Sequence, residues 1–322
     1  MKNTMEQLQL MGLVPVVKLD DAKDAVPLAK ALIAGGLPCA EITFRTDAAE
    51  ESIRQMTQAF PDMLVGAGTV LTIEQVDRAI DAGASFVVCP GFNEKIVNYC
   101  LEKGVLVTPG CTNPTDMSRA VELGLKAVKF FPAEQSGGIG AIKAMSSVFG
   151  GLKFMPTGGV SAKNLGDYLS FDKILACGGS WMVNPALISA GKFDEIEALT
   201  REAVQAMLGF KIAHVGINCE NEGEAQKTAQ GICNLFGFPV KDGSSSVFAG
   251  SAVEVMKSPF LGKNGHIAFG TYHVDRAKAY LERQGFAFKE DTAKFDGAGN
   301  LMAIYLDVEI GGFALHLVKQ AY

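Results

Sequence analysis

The stretch Val128-Lys129-Phe130-Phe131-Pro132-Ala133-Glu134 sets a lysine inside a short apolar run that reads as a buried strand. A charged amine is costly to bury, and a lysine kept neutral is a nucleophile that condenses with a ketone to an imine. The other reading of Lys129 is a side chain that snorkels from a strand end to water. A second constellation is Glu41-Ile42-Thr43-Phe44-Arg45, where period two puts Glu41, Thr43 and Arg45 on one face of a strand. A carboxylate, a hydroxyl and a guanidinium make a poor core and good reactive-site material. A Glu41–Arg45 ion pair serving structure alone is the alternative. The four histidines, His214, His266, His273 and His316, all fall late in the chain. Acid–base chemistry around Lys129 must then use carboxylate, lysine, tyrosine or water. A protonated imine draws electrons from the adjacent carbon, which is what cleavage of a carbon–carbon bond beta to a carbonyl requires. Glu41 is the candidate base for the far hydroxyl. Glu134 is its rival, or else a residue that orders the loop after the strand.

Such a substrate also needs a seat for a phosphate or carboxylate. Thr157-Gly158-Gly159 and Gly178-Gly179-Ser180 each end a strand and offer backbone N–H groups for one. Gly66-Ala67-Gly68-Thr69 is a third small, polar strand end.

These positions call for a frame. Eight strand-then-helix units run through residues 1–209, beginning with a lead helix over residues 1–10 and a strand over residues 13–18. Further strands are expected at 39–45, 63–70, 86–90, 105–109, 127–131, 153–156 and 173–177. The runs are apolar without clean alternation, as in a sheet covered by helices on its outer face. An open doubly wound sheet and a closed (β/α)8 TIM barrel both fit. The count of eight, the even spacing and the polar residues at many strand ends favour the barrel. No G-x-G-x-x-G follows the first strand, which weakens a dinucleotide reading.

From Lys211 the pattern changes to longer strands and fewer helices, and then repeats itself. Two βαβββ repeats are expected to pack as one α+β domain over residues 210–322. Strand one of each repeat carries His214 or His266, and the last strand carries Glu254 or His316. If the sheets pair around a cup, three imidazoles and a carboxylate converge. Such nitrogen and oxygen donors suit zinc, nickel, manganese or iron.

Composition bounds the rest. The 322 residues exceed what one core usually serves, so two domains are expected. Hydrophobic residues make up 48% and charged residues 20%, as in a soluble globular protein. A formal charge of -6 favours neither nucleic acid nor an anionic membrane. No apolar run reaches spanning length, and the N-terminus lacks a signal-type apolar region. Seven scattered cysteines without a CxxC read as small core residues of a reduced, cytoplasmic protein.

Taken in order and spacing, several stretches resemble the KDPG/KHG aldolases over residues 13–208. They are Pro15-Val16-Val17, Glu41 to Thr46, Val65 to Val70, Pro90-Gly91, Thr108-Pro109-Gly110, Lys129 to Glu134, Pro156 to Val160 and Gly178 to Trp181. The resemblance implies a class I, Schiff-base aldolase on a TIM barrel over residues 1–209, usually trimeric and needing no cofactor. It implies Lys129 as imine lysine, Glu41 as general acid/base and Arg45 as the partner of the substrate carboxylate. Thr69, Pro90 and Thr157 would line the pyruvyl end, and Gly158, Gly159, Gly179 and Ser180 the phosphate groove. The implied reactions give pyruvate from 2-dehydro-3-deoxy-6-phosphogluconate and from 4-hydroxy-2-oxoglutarate, with glyceraldehyde 3-phosphate and glyoxylate as the respective partners. A galactonate-type aldolase or a non-catalytic ligand sensor would keep the same pocket. Residues 210–322 resemble the vicinal-oxygen-chelate, glyoxalase/dioxygenase-like superfamily, whose metal ligands take the positions of His214, Glu254, His266 and His316. His316 stands where that superfamily more usually has glutamate, which leaves the metal and its chemistry open.

Overall fold

Short runs such as Leu13–Val17 and Phe86–Val88 are buried at nearly every residue, so each strand must be covered on both faces. In the computed structural model, which describes residues 3–322, the helices between them supply that cover. The lead helix spans Thr4–Met11 behind an Asn3–Glu6 capping box, and the first two positions of its expected range lie outside the described residues.

The strands of the first unit are β1 (Leu13–Val17), β2 (Cys39–Thr43), β3 (Leu64–Gly68), β4 (Phe86–Val88), β5 (Leu106–Thr108), β6 (Ala127–Phe130), β7 (Lys153–Pro156) and β8 (Cys177–Gly179). Six form a parallel ladder in the order β5-β4-β3-β2-β1-β8, and β6 pairs with β7. Single bridges continue the curl. The Lys129 N–H donates to Pro109 O at 2.9 Å and the Cys111 N–H to Lys129 O at 2.8 Å, next to the Gly110–Lys129 bridge. On the other side, Phe154 bridges Ile174 and Thr157 bridges Gly178. The result is a curled, TIM-barrel-like sheet of alternating β and α units.

Two strand bounds differ from expectation. β2 stops at Thr43, and Arg45 sits in the turn beyond it, exposed, its N–H bonded to Thr43 O at 2.8 Å. Arg45 therefore does not share the buried strand face with Glu41 and Thr43. β8 begins at Cys177 rather than at Lys173, and it contains the two glycines expected at its end. The apolar residues 174–176 are buried but pair through one bridge only. The glycines belong in the strand because their neighbours press on it. A Cβ at Gly178 would lie 2.3 Å from Thr157 Oγ1, and one at Gly179 would lie 1.9 Å from the Trp181 ring.

The contact pattern divides the chain between Met207 and Leu208. The second unit runs β9 (Lys211–Asn218), a helix (Glu222–Phe236), β10 (Val240–Asp242), β11 (Ser246–Ala249) and β12 (Val253–Met256). It continues with β13 (Gly265–Thr271), a helix (Val274–Arg283), β14 (Phe288–Phe295), β15 (Leu301–Ile310) and β16 (Phe313–Lys319). All eight strands join one sheet in the order β10-β11-β12-β9-β13-β16-β15-β14. β9 and β13 run antiparallel at its centre. The two edge strands, β10 and β14, were not located by pattern. An edge strand exposed along its length, as β10 is, shows no apolar period.

All seven cysteines are buried thiols. Burial pushes the Cys89 and Cys111 thiols up to about 12 and the Cys100 thiol up to about 11. No helix among the described residues is long and apolar enough to cross a membrane.

Candidate active site

Lys129 and Glu41 meet inside the first unit. β6 carries Lys129, 5% exposed, and β2 carries Glu41, fully buried. Lys129 Nζ donates to Glu41 Oε1 at 3.2 Å. The second carboxylate oxygen, Oε2, is buried without a hydrogen-bond partner. A buried, unpartnered carboxylate oxygen is expensive, and it is positioned to receive a proton or a hydroxyl from a guest. Room for the carboxylate comes from Gly68, where a Cβ would lie 2.2 Å from Glu41 Oε1. Beside the pair, the Thr43 hydroxyl donates to Val17 O at 2.8 Å, and the Phe131 ring lies 5.4 Å from Lys129 Nζ.

Arg45 turns to Thr69 rather than to Glu41, and its Nε donates to Thr69 Oγ1 at 3.3 Å. Thr69 has φ 55°, the one non-glycine residue with positive φ among those described. That conformation is held at a cost and is typical of residues fixed for a task. Glu134, the rival base, accepts from the Tyr168 hydroxyl, and its N–H donates to Gly158 O at 3.1 Å. It orders the loop after β6.

A cavity of about 230 Å³ opens over the strand ends. Arg45, Thr157, Gly158, Gly159, Gly179 and Ser180 line it, so six of the expected residues are brought together there. Lys129, Glu41, Thr69 and Pro90 are not in its lining. Pro90 instead packs its carbonyl against Gly110, where a Cβ would lie 2.1 Å from Pro90 O. Pattern reasoning passed over Lys18, which lines the cavity and pairs with Asp20 at 2.7 Å. A lysine directly after the apolar run of β1 was the available signal.

The second unit holds a second cluster. His214 and His266 bring their Nε2 atoms to 3.2 Å, and each stands 3.1 Å from Glu254 Oε2. The ligand nitrogens of His214, His266 and His316 lie within 4.8 Å of one another. Register explains the convergence. Gly216 of β9 lies between Glu254 of β12 and His266 of β13, and Ala268 of β13 lies between His214 of β9 and His316 of β16. Small central residues leave one sheet face open to four polar side chains. A Cβ at Gly216 would come within 2.1 Å of the His266 ring.

Burial works against the Glu254 carboxylate, yet hydrogen bonds with His214, His266 and Ser246 outweigh it and hold the carboxyl well below its usual range. Burial pushes the His316 imidazole down to about 3, with His266 and His214 acting the same way. Both ring nitrogens of His316 are buried and unpartnered, as is Nδ1 of His266. Imidazole nitrogens left so exposed to one another and to a carboxylate fit a divalent cation. Tyr305, not singled out from the sequence, stacks on His316 with centroids 4.5 Å apart.

The family description "KDPG and KHG aldolase" matches residues 4–199. The chain is 48% identical over 200 residues to the 2-dehydro-3-deoxy-phosphogluconate aldolase of Treponema pallidum, covering 62% of this chain and 95% of that protein. It is 40% identical over 205 residues to the KHG/KDPG aldolase of Escherichia coli, covering 63% and 96%. The crystal structure of a Legionella pneumophila KDPG aldolase, with pyruvate captured as a covalent carbinolamine, matches with a TM-score of 0.61 and 34% identity. That match covers 63% of this chain and 98% of the other. A TIM-barrel-like sheet with these matches defines a class I aldolase, a carbon–carbon lyase working through a Schiff base. The chain belongs to the KDPG and KHG aldolase family.

Proposed function

We propose that the first unit is a closed (β/α)8 barrel that forms an imine between Lys129 and a 2-oxo acid. It then cleaves 2-dehydro-3-deoxy-6-phosphogluconate to pyruvate and glyceraldehyde 3-phosphate, and 4-hydroxy-2-oxoglutarate to pyruvate and glyoxylate. The observation that carries this is the 3.2 Å approach of Lys129 Nζ to the buried Glu41 carboxylate. The names of the matched Treponema pallidum and Escherichia coli relatives support the substrate class.

The Lys129 amine adds to the C2 carbonyl, and the carbinolamine loses water to give an iminium. Glu41 takes the proton of the C4 hydroxyl as the C3–C4 bond breaks. The bonding pair moves into the iminium, leaving an enamine and a free aldehyde. Proton return to C3 and addition of water then release pyruvate and the amine. Arg45, oriented by Thr69, meets the substrate carboxylate, and Pro90 and Thr157 border the pyruvyl end. Gly158, Gly159, Gly179 and Ser180 receive the phosphate on backbone N–H groups and a hydroxyl.

A panel of candidate aldols with pyruvate detection tests this. Turnover of both named substrates is expected, with the galactonate-type epimer poorer. Preference for that epimer would reassign the substrate, and no turnover of any aldol would leave a ligand sensor. A homotrimer in the cytoplasm, as the family resemblance implies, completes the reading of the barrel.

For the second unit we propose a glyoxalase/dioxygenase-like domain of two βαβββ repeats, with His214, Glu254, His266 and His316 holding one divalent ion. Such an ion would polarise the oxygen atoms of a bound ligand. Chelator-free protein is expected to take up one equivalent of zinc, nickel, manganese or iron per chain. Gly216→Ala, which pushes the His266 ring aside, should weaken zinc uptake by about tenfold or more, as loss of a ligand's support does. Equal uptake by both proteins, or none by either, would remove the ion.

A further inference from the structure

The cavity around the histidine–glutamate cluster is far larger than an ion needs, at about 920 Å³. Such a volume suits an organic ligand of substantial size. Its lining changes along its length. The buried side chains of His266 and His316 lie at one extreme of exposure, and Lys294, Lys319 and Asp291 at the other. Met256, Met302, Phe248, Phe260 and Tyr305 supply the apolar part. Neither Lys294 nor Lys319 enters an ion pair among the described residues, so two cations face one carboxylate, Asp291, at the exposed end. The rim itself is built. The β14–β15 register breaks between Lys289 and Lys294, which takes residues 290–293 out of the ladder. Thr292 pins this bulge by donating to Lys289 O at 2.6 Å and accepting from the Tyr305 N–H at 3.0 Å. Bulges of this kind re-aim side chains beside binding sites.

We propose that this cavity binds an amphipathic organic acid. Its carboxylate is met by Lys294 and Lys319, and its apolar or aromatic body lies against Met256, Met302 and Tyr305. This rests on the reading of the second unit as a ligand-binding domain, but not on the ion. The unpartnered nitrogens of His316 lie in the same cavity and offer a polar end to a ligand that carries a second oxygen function.

Titration calorimetry on the full-length protein tests the proposal, with 4-phenylbutyrate as the probe and the uncharged 4-phenylbutanol as its control. Neither has a carbonyl that could react with Lys129. Runs in EDTA and with added zinc, with zinc uptake measured separately, tell failure of the ion apart from failure of this proposal. The acid is expected to bind once per chain and about tenfold or more tighter than the alcohol, the margin of a charge-assisted hydrogen bond. The Lys294→Ala/Lys319→Ala variant, changed only at exposed positions, should erase that margin and leave alcohol binding as it was. Equal binding of acid and alcohol would overturn the proposal. So would acid affinity that survives loss of both lysines, or that falls instead in Arg45→Ala, or an acid that binds in neither buffer.

Discussion

Lys129→Met is expected to abolish the borohydride-trapped pyruvate adduct and to lower kcat by roughly 10³-fold or more, because the electron sink is gone. Mass mapping of the wild-type adduct should place it on Lys129. Labelling elsewhere, or none, would sink the imine reading. The same substitution leaves the fully buried Glu41 without its cation. Breaking a buried pair in this way costs about 3–5 kcal/mol of stability. Removing the stranded charge should recover most of that loss, so Lys129→Met/Glu41→Gln is expected to melt above the single variant while remaining inactive. If both variants melt alike, the pair contributes nothing to folding.

Glu41→Gln alone should still form the pyruvate adduct but turn over about 10²–10⁴-fold more slowly, the usual contribution of a positioned base. The trapped adduct separates the two roles. Normal turnover would transfer proton removal to another group or to water, and loss of the adduct would mean that Glu41 also serves imine formation. Glu134 is poorly placed as a substitute, since its carboxylate is engaged by Tyr168 and it sits exposed in the loop beyond β6.

The reactive pair was legible because both residues break the rule of their surroundings. A lysine in β6 and a glutamate in β2 interrupt runs that are otherwise apolar, and such violations mark function. The four polar positions of the second unit were legible for a related reason, the repetition of strand positions across two halves. What escaped notice depends on geometry that period does not encode. Arg45 leaves the strand because β2 ends two residues earlier, and its partner Thr69 takes a left-handed backbone. The glycines of β8 read as a turn, although they are strand positions emptied for Thr157 and Trp181. β14 escaped because its register breaks within the strand, and the same break brings Lys294 to a cavity.

The interior placement of every sulfhydryl has a practical consequence. Five lie before the division at Met207, at positions 39, 89, 100, 111 and 177, and two lie after it, at 219 and 233. An alkylating reagent can reach them only when the surrounding structure opens, since modification requires access and the thiolate. Peptide-resolved alkylation rates therefore time the opening of the aldolase portion and of its C-terminal companion independently, in one sample and without an engineered probe.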